Sequence, residues 1–371
     1  MIVDSIETTI LDIPLRRPHK FSILTIDSQA LLLVRVTTRD GIVGVGEGVV
    51  PGGPWWGGES IEGMKILIDR YLAPLLVGRD VTRIGALGKM LDRMVAGAEF
   101  AKAALDMALW DAYGKGCGLS VNQLLGGPHR DRLPVTWALG ADPADVVVAE
   151  ARHKLAAGEH RSFKLKMGAG RPEDDVTRVC LVADALSAEA DLAVDLNGSW
   201  DLATAERFLP EIVAAGVGLI EQPLPHWDVR GMARIADLLT VPVMADESVR
   251  TVHDATRLCQ EQAADVLAVK LAKGGGITGV VETGVVAGAF GVTCYGGTTI
   301  ESSIGTAASL HAFCAMPSLE AGSELFGTLL LADDVVVRPV AFEDGFVHLP
   351  TGPGLGVEVD EEKVARYARA V

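Results

Sequence analysis

The chain has 371 residues, 49% of them hydrophobic and 22% charged, with a formal net charge of −16. This is the composition of a globular protein and excludes a disordered chain, and the acidic balance argues against nucleic acid or an anionic membrane surface as partner. A local cationic site would still admit an acidic small molecule. The cysteines (Cys117, Cys180, Cys259, Cys294 and Cys314) are scattered with no CxxC, as expected of structural thiols in a reducing compartment. The start, MIVDSIETTILDIPL, lacks the basic then apolar pattern of a signal peptide, and the apolar stretch around Val280 to Tyr295 is interrupted by Glu282 and glycines. No membrane span and a cytoplasmic location are expected.

In chain order, the first part reads as β-rich. DSQALLLVRVTTRDGIVGVGEG holds two β-branched runs split by Arg39-Asp40-Gly41, a hairpin signal. Two helical patterns follow, ESIEGMKILIDRYLAPLL and EFAKAALDMALWDAYGKG; in the second, Phe100, Ala104, Met107 and Ala108 share a face and Gly114 and Gly116 supply a stop. LLGGPHRDRLP is a boundary, punctuated by Gly126, Gly127 and Pro128.

Beyond it the pattern turns regular. Short apolar runs (VTWALG, SFKLKMG, LAVDLNG, GLIEQP, VPVMADES, VLAVKLAKGG, GVTCYGG) each precede a helical segment. The spacings are 29 residues from Lys166 to Asp195, then 26 to Glu221, 25 to Asp246 and 24 to Lys270. That is the size of a strand–helix unit of a parallel sheet, and so many units with charged strand ends favour a closed barrel over an open sheet. The closing VVVRPVAFEDGFVHLPTGPGLGVEV returns to β alternation and is expected to rejoin the N-terminal region.

In FKLKMG, Lys164 and Lys166 are two apart in an apolar run, so in a strand both ammonium groups face one side. Later strands end in Asp195, Glu221, Asp246 and Lys270. Taken singly, such an acid is a helix N-cap and such a lysine a snorkelling surface group. Taken together they recur in register with the repeat, and a parallel barrel opens all its strand C-termini on one face. Three converging carboxylates repel unless a cation lies between them, and oxygen ligands without histidine or cysteine suit Mg²⁺ or Mn²⁺ better than zinc. A neighbouring ammonium and partial burial lower a lysine's pKa, so Lys164 is expected to tune Lys166.

Other motifs point elsewhere less strongly. AKGGGITG (272–279) and GGTTIESSIGT (296–306) read as tight turns rather than phosphate cradles. Ser302 and Ser303 lack a Gly-x-Ser-x-Gly elbow, and the histidines lack HExxH spacing. The pair Trp55-Trp56, flanked by glycines, reads equally as core packing or as the cap of a pocket.

These residues together resemble the enolase superfamily, and within it the muconate-lactonizing group, over nearly the whole chain. The markers are Lys164-x-Lys166, Asp195 with Asn197 in DLNGSW, Glu221 in IEQPL, Asp246 in ADES, Lys270 before AKGGGIT, LLGG at 124–127 and PGLGVEV near the end. The resemblance implies an enolase-like α/β fold: an α+β capping domain (1–128, completed by 330–371) over a modified TIM barrel, (β/α)7β, at 129–329. It implies that Asp195, Glu221 and Asp246 hold Mg²⁺ or Mn²⁺, that Lys166 is the general acid/base assisted by Lys164, and that Lys270 stabilises charge from the opposite face. Enolase-superfamily sites pair a lysine or histidine base with Mg²⁺ in general.

AGSELFG places Glu324 and Phe326 where the muconate group has a matching Glu and Phe, whereas dipeptide epimerases have Asp-x-Asp there. The segments FSILTIDS and GGPWWGGES resemble the group's capping loops, with Trp56 and Asn197 at substrate-binding positions, while Pro51 and Trp55 depart from its pattern. The implied activity is an isomerase (an intramolecular lyase) that turns the small dicarboxylate cis,cis-muconate into muconolactone in aromatic catabolism; the implied assembly is a homo-oligomer, often an octamer. The rival expectation is an o-succinylbenzoate synthase or N-acylamino acid racemase on the same scaffold.

Overall fold

The structure, a computed structural model, describes residues 1–21 and 24–370. Ser22 and Ile23 of the FSILTIDS segment lie outside the described residues.

The N-terminal capping domain starts with an antiparallel sheet in the order β1 (Val3–Lys20), β2 (Thr25–Thr38), β3 (Val43–Val49). The turn expected at Arg39-Asp40-Gly41 joins β2 to β3, with Gly41 at a φ of 79°. A long helix, Glu99–Cys117, lies on this sheet. The alternating glycines of VGVG explain how closely: a Cβ on Gly46 would stand 2.1 Å from the Ala104 carbonyl oxygen, and one on Gly44 2.2 Å from that of Ala108. The helix is buried along almost its whole length rather than on the one face expected. Its stop also differs. Gly114 and Gly116 lie inside it, and the chain leaves at Gly118, whose φ of 68° closes the last turn. Gly114 serves packing, since a Cβ there would meet the Gly354 backbone at 2.7 Å.

After the short strand β4 (Arg132–Pro134) come seven parallel strands, hydrogen-bonded in sequence order: β5 (Trp137–Leu139), β6 (Ser162–Lys166), β7 (Asp191–Asp195), β8 (Leu219–Glu221), β9 (Val243–Ala245), β10 (Val266–Val269) and β11 (Thr293–Gly296). Each of the seven apolar runs read from the sequence contributes one of them, and a helix follows each. Phe163 and Leu165 turn outward into the main apolar core, so period-two alternation sends Lys164 and Lys166 inward.

The curled sheet is completed by the segment around Ser323, which bridges Gly296 at the end of β11 and Val135 just before β5. The Glu324 N–H donates to the Gly296 carbonyl at 2.8 Å, and the Thr136 N–H donates to that of Ser323 at 2.7 Å. The tail divides. The hairpin β12 (Phe342–Glu343) and β13 (Phe346–His348) adds to β4 rather than to the N-terminal sheet, because Val347 pairs with Leu133. The stretches on either side of the hairpin return to the cap as expected: Leu331 bridges Leu15, the Val121 N–H donates to the Gly354 carbonyl at 2.9 Å, Arg35 pairs with Glu361 at 2.8 Å, and Arg369 pairs with Asp12 at 2.6 Å. Among the described residues, no helix is long and apolar enough to cross a membrane.

Candidate active site

Strand register brings the charged residues together. Lys166 pairs with Asp195 across β6 and β7, and Asp195 with Glu221 across β7 and β8, so an ammonium and two carboxylates leave neighbouring strands at one level. The chain then turns sharply: Asn197 (φ 45°) and Gln222 (φ 37°) take the left-handed conformation just past the strand ends. Gln222 locks the next strand, since its Oε1 accepts the Asp246 N–H at 2.9 Å and that of Ser248 at 3.2 Å.

Each acid meets an amine. Lys164 Nζ lies 2.7 Å from Glu221 Oε2 and also pairs with Glu324; Lys166 pairs with Asp195 and reaches Asn197 Oδ1 at 3.3 Å. Asp246 holds two lysines, Lys270 at 2.7 Å on Oδ2 and Lys273 at 2.6 Å on Oδ1. Lys270 also sits 4.5 Å from the centre of the Trp56 ring, a cation–π contact with the cap. Above this floor opens a pocket whose walls include Lys166, Lys270, Asn197, Trp56, Glu324 and Phe326. Lys164, Asp195, Glu221 and Asp246 lie buried beneath. All the candidate catalytic, metal and substrate-binding residues named from the sequence therefore fall in the pocket wall or the layer under it.

The electrostatics differ from one expectation. Burial works to lower Lys164, but Glu221 and Glu324 outweigh it and raise its pKa well above the usual lysine value. Its charge is answered by these carboxylates rather than left facing Lys166. Burial likewise opposes ionisation of Asp195 and Asp246, yet the lysines beside each hold them below the ordinary carboxylate range. Glu221 goes the other way: burial, with Asp195 adding to it, pushes its carboxyl up to about 8 despite Lys164.

Among the described residues no three acidic, histidine or cysteine side chains stand together as a ready metal cage, since the acids are drawn onto amines. The donor set nevertheless suits a hard divalent cation. Glu221 Oε1 and Glu247 Oε2 are buried without a hydrogen-bond partner, and both carboxyls are raised by burial and by neighbouring acids. Oxygen atoms in that condition gain from a cation.

Several participants escaped the sequence reading. Lys273 was legible only as part of a glycine-rich turn, though the spacing Lys270-x-x-Lys273 was a usable signal. Glu247, the second acid of ADES, accepts the Asn197 side-chain amide at 2.9 Å and the Trp56 indole N–H at 3.0 Å. His19 lines the pocket with burial holding its imidazole down to a pKa of about 3, so it is neutral. Ile300 lines it with φ at 62°, unusual for a β-branched residue.

Comparison with known proteins agrees with this geometry. Residues 5–126 match the mandelate racemase / muconate lactonizing enzyme N-terminal domain, and residues 146–363 match the enolase C-terminal domain-like family. The chain belongs to this family of the enolase superfamily. It is 49% identical to muconate cycloisomerase 1 of Rhodococcus opacus, over 98% of each chain, and 39% identical to a chloromuconate cycloisomerase of Cupriavidus necator over the whole of both. Among solved structures it resembles 2-chloromuconate cycloisomerase from Rhodococcus opacus (TM-score 0.97, 44% identity, 100% of both chains) and muconate lactonizing enzyme from Pseudomonas fluorescens complexed with muconolactone (TM-score 0.97, 43% identity, 99% of both).

Proposed function

We propose that this protein is a divalent-metal-dependent muconate cycloisomerase, an isomerase that closes cis,cis-muconate to muconolactone. The observation that carries this reading is the placement of two amines, Lys166 and Lys270, over a carboxylate floor in one pocket, with Glu324 and Phe326 in the wall. On this reading Asp195, Glu221 and Asp246 hold Mg²⁺ or Mn²⁺. The bound ion supplies positive charge beside one substrate carboxylate, offsetting the charge that builds there during reaction.

The chain's own groups do the rest. Trp56, Asn197 and Phe326 orient the diacid and exclude water. The distal carboxylate oxygen forms a C–O bond to the conjugated double bond, and the displaced electron pair moves toward the proximal carboxylate. Lys166 Nζ gives a proton to the carbon alpha to that carboxylate and regains one from solvent, so the dianion plus one proton becomes the lactone monoanion. Lys164 keeps Glu221 and Glu324 in place beneath Lys166, and Lys270 faces the developing charge from the other side.

The reading includes a cap of 1–128 with 330–371, a barrel of 129–329, and a cytoplasmic homo-oligomer, an octamer as in the muconate group, working in aromatic catabolism. The test is loss of diene absorbance when the protein is mixed with cis,cis-muconate, with Mg²⁺ or Mn²⁺ and with chelator. Metal-dependent loss of the signal is expected. No turnover of muconate alongside racemisation of an N-acylamino acid would move the assignment to the rival chemistry.

A further inference from the structure

We propose that Glu47 is a positioning residue for the substrate pocket, holding from the cap strand β3 the barrel segment that forms the pocket wall at Thr298–Ile300. The proposal rests on the pocket being the substrate site.

Glu47 sits opposite Leu33 in the β2–β3 register and is 2% exposed. Its carboxyl crosses from the cap to the barrel. Oε1 accepts the Ser302 N–H at 2.9 Å; Oε2 meets the Ser302 hydroxyl and the Gly305 N–H, the latter at 3.3 Å. These donors belong to the first turn of the helix Ser303–Ala315 and its cap, where amides lack partners within the helix. Gly305 makes room for the approach: a Cβ there would stand 3.2 Å from Glu47 Oε1 and 2.8 Å from Glu301 Cβ.

Two residues before Ser302 lies Ile300, whose left-handed backbone persists only where the surroundings over-determine it. Part of that restraint is internal. The Glu301 carboxylate accepts the Thr298 hydroxyl at 2.5 Å, the Thr299 N–H at 2.8 Å and the Thr299 hydroxyl at 2.7 Å. Asp334 fixes the far side, accepting the Ser303 hydroxyl at 2.6 Å. Of these three carboxyls, Glu47 is the one that belongs to the N-terminal sheet, so it makes the shape of the pocket wall depend on where the cap sits.

Burial, its largest influence, pushes Glu47 up to about 8; the Ser302 hydrogen bonds pull it down, and Glu301 and Asp334 push it up again. The groups facing it are thus Glu301 from the barrel segment it holds and Asp334 from the segment before Val335, with Lys363 of the C-terminal helix (Glu361–Tyr367) acting on Asp334. At neutral pH Glu47 keeps its proton. Losing it adds a charge between two acids and loosens the wall.

The test uses the full chain with Mg²⁺, comparing wild type, Glu47→Ala and Glu47→Gln at about pH 7 and about pH 9. Two measurements are made: amide hydrogen exchange over residues 297–306, corrected for the intrinsic effect of pH, and KM and kcat for cis,cis-muconate. Glu47→Ala is expected to speed exchange and raise KM by about tenfold each, with kcat changed by less than about twofold. Glu47→Gln copies the protonated acid. It should match wild type at the lower pH and lack the faster exchange and raised KM that wild type develops at the higher one. Wild-type exchange and KM in Glu47→Ala, or identical pH responses of wild type and Glu47→Gln, would overturn the proposal. Should Glu47→Ala not fold, the Glu47→Gln comparison decides. If wild type does not turn over muconate, the functional reading fails on its own, and the exchange measurement still tests the role of Glu47.

Discussion

Trp56, on the cap, donates its indole N–H to Glu247, the residue next to Asp246, at 3.0 Å. The same ring lies under the Lys270 ammonium, so one cap side chain touches both the acid layer and one of its flanking amines. Trp56→Phe keeps an aromatic ring, though a smaller one, and deletes the donor. Removing that bond and weakening the cation–π contact costs about 1–2 kcal/mol, which corresponds to roughly a tenfold fall in kcat/KM. Steady-state kinetics beside a thermal melt check this; an unchanged kcat/KM would show the contact to be incidental.

Lys166→Met removes the proposed proton donor while preserving the length of the side chain. Turnover should fall by about a thousandfold or more. Divalent-ion binding, followed by calorimetry, should persist, because Asp195 loses only its amine partner. Activity within tenfold of wild type would take Lys166 out of its role.

Asp246→Asn leaves two buried ammonium groups, Lys270 and Lys273, without their counter-charge. Breaking a buried pair of this kind costs about 3–5 kcal/mol. A lower urea midpoint is expected, together with a higher Mg²⁺ concentration for half-maximal activity. An unaltered Mg²⁺ requirement would argue that Asp246 is not a ligand.

Acid sensitivity has a source outside the site. His311 is fully buried; its Nδ1 accepts the Asn122 N–H at 3.3 Å, and burial holds its pKa down to about 4 against an ordinary 6.5. Between these values the unfolded chain binds the proton and the folded chain does not. The contribution is therefore intact above about pH 6.5 and declines as pH falls toward about 4, by on the order of 3 kcal/mol. His311→Gln should lose less stability than wild type between pH 6.5 and 4.5, as read from urea midpoints. Parallel losses in the two proteins would remove His311 as the cause.

Much of this was legible in the sequence because it is periodic or local. The runs from VTWALG to GVTCYGG became β5 to β11, and the charged residues closing them meet because strands in register share a level. The features that escaped depend on partners distant along the chain. Nothing around Glu47 announces Ser302, 255 residues away, and nothing around Glu247 announces Trp56, 191 residues away. Gly114 and Gly116 misled as a helix stop, since a glycine admitted for close packing is indistinguishable in sequence from one that turns the chain. Lys164 was expected to tune Lys166, and its pairing with Glu221 and Glu324 escaped because those carboxylates come from β8 and from the closing segment.

That closing segment fastens the two ends of the hoop at Ser323, and the next residues along it are Glu324, which holds Lys164, and Phe326 in the pocket wall. The clasp and part of the pocket wall thus share a few adjacent peptide units. A descendant of this chain has little freedom to lengthen, shorten or kink that piece without letting the ring spring open, so its diversification should proceed by exchanging side chains on an unaltered path.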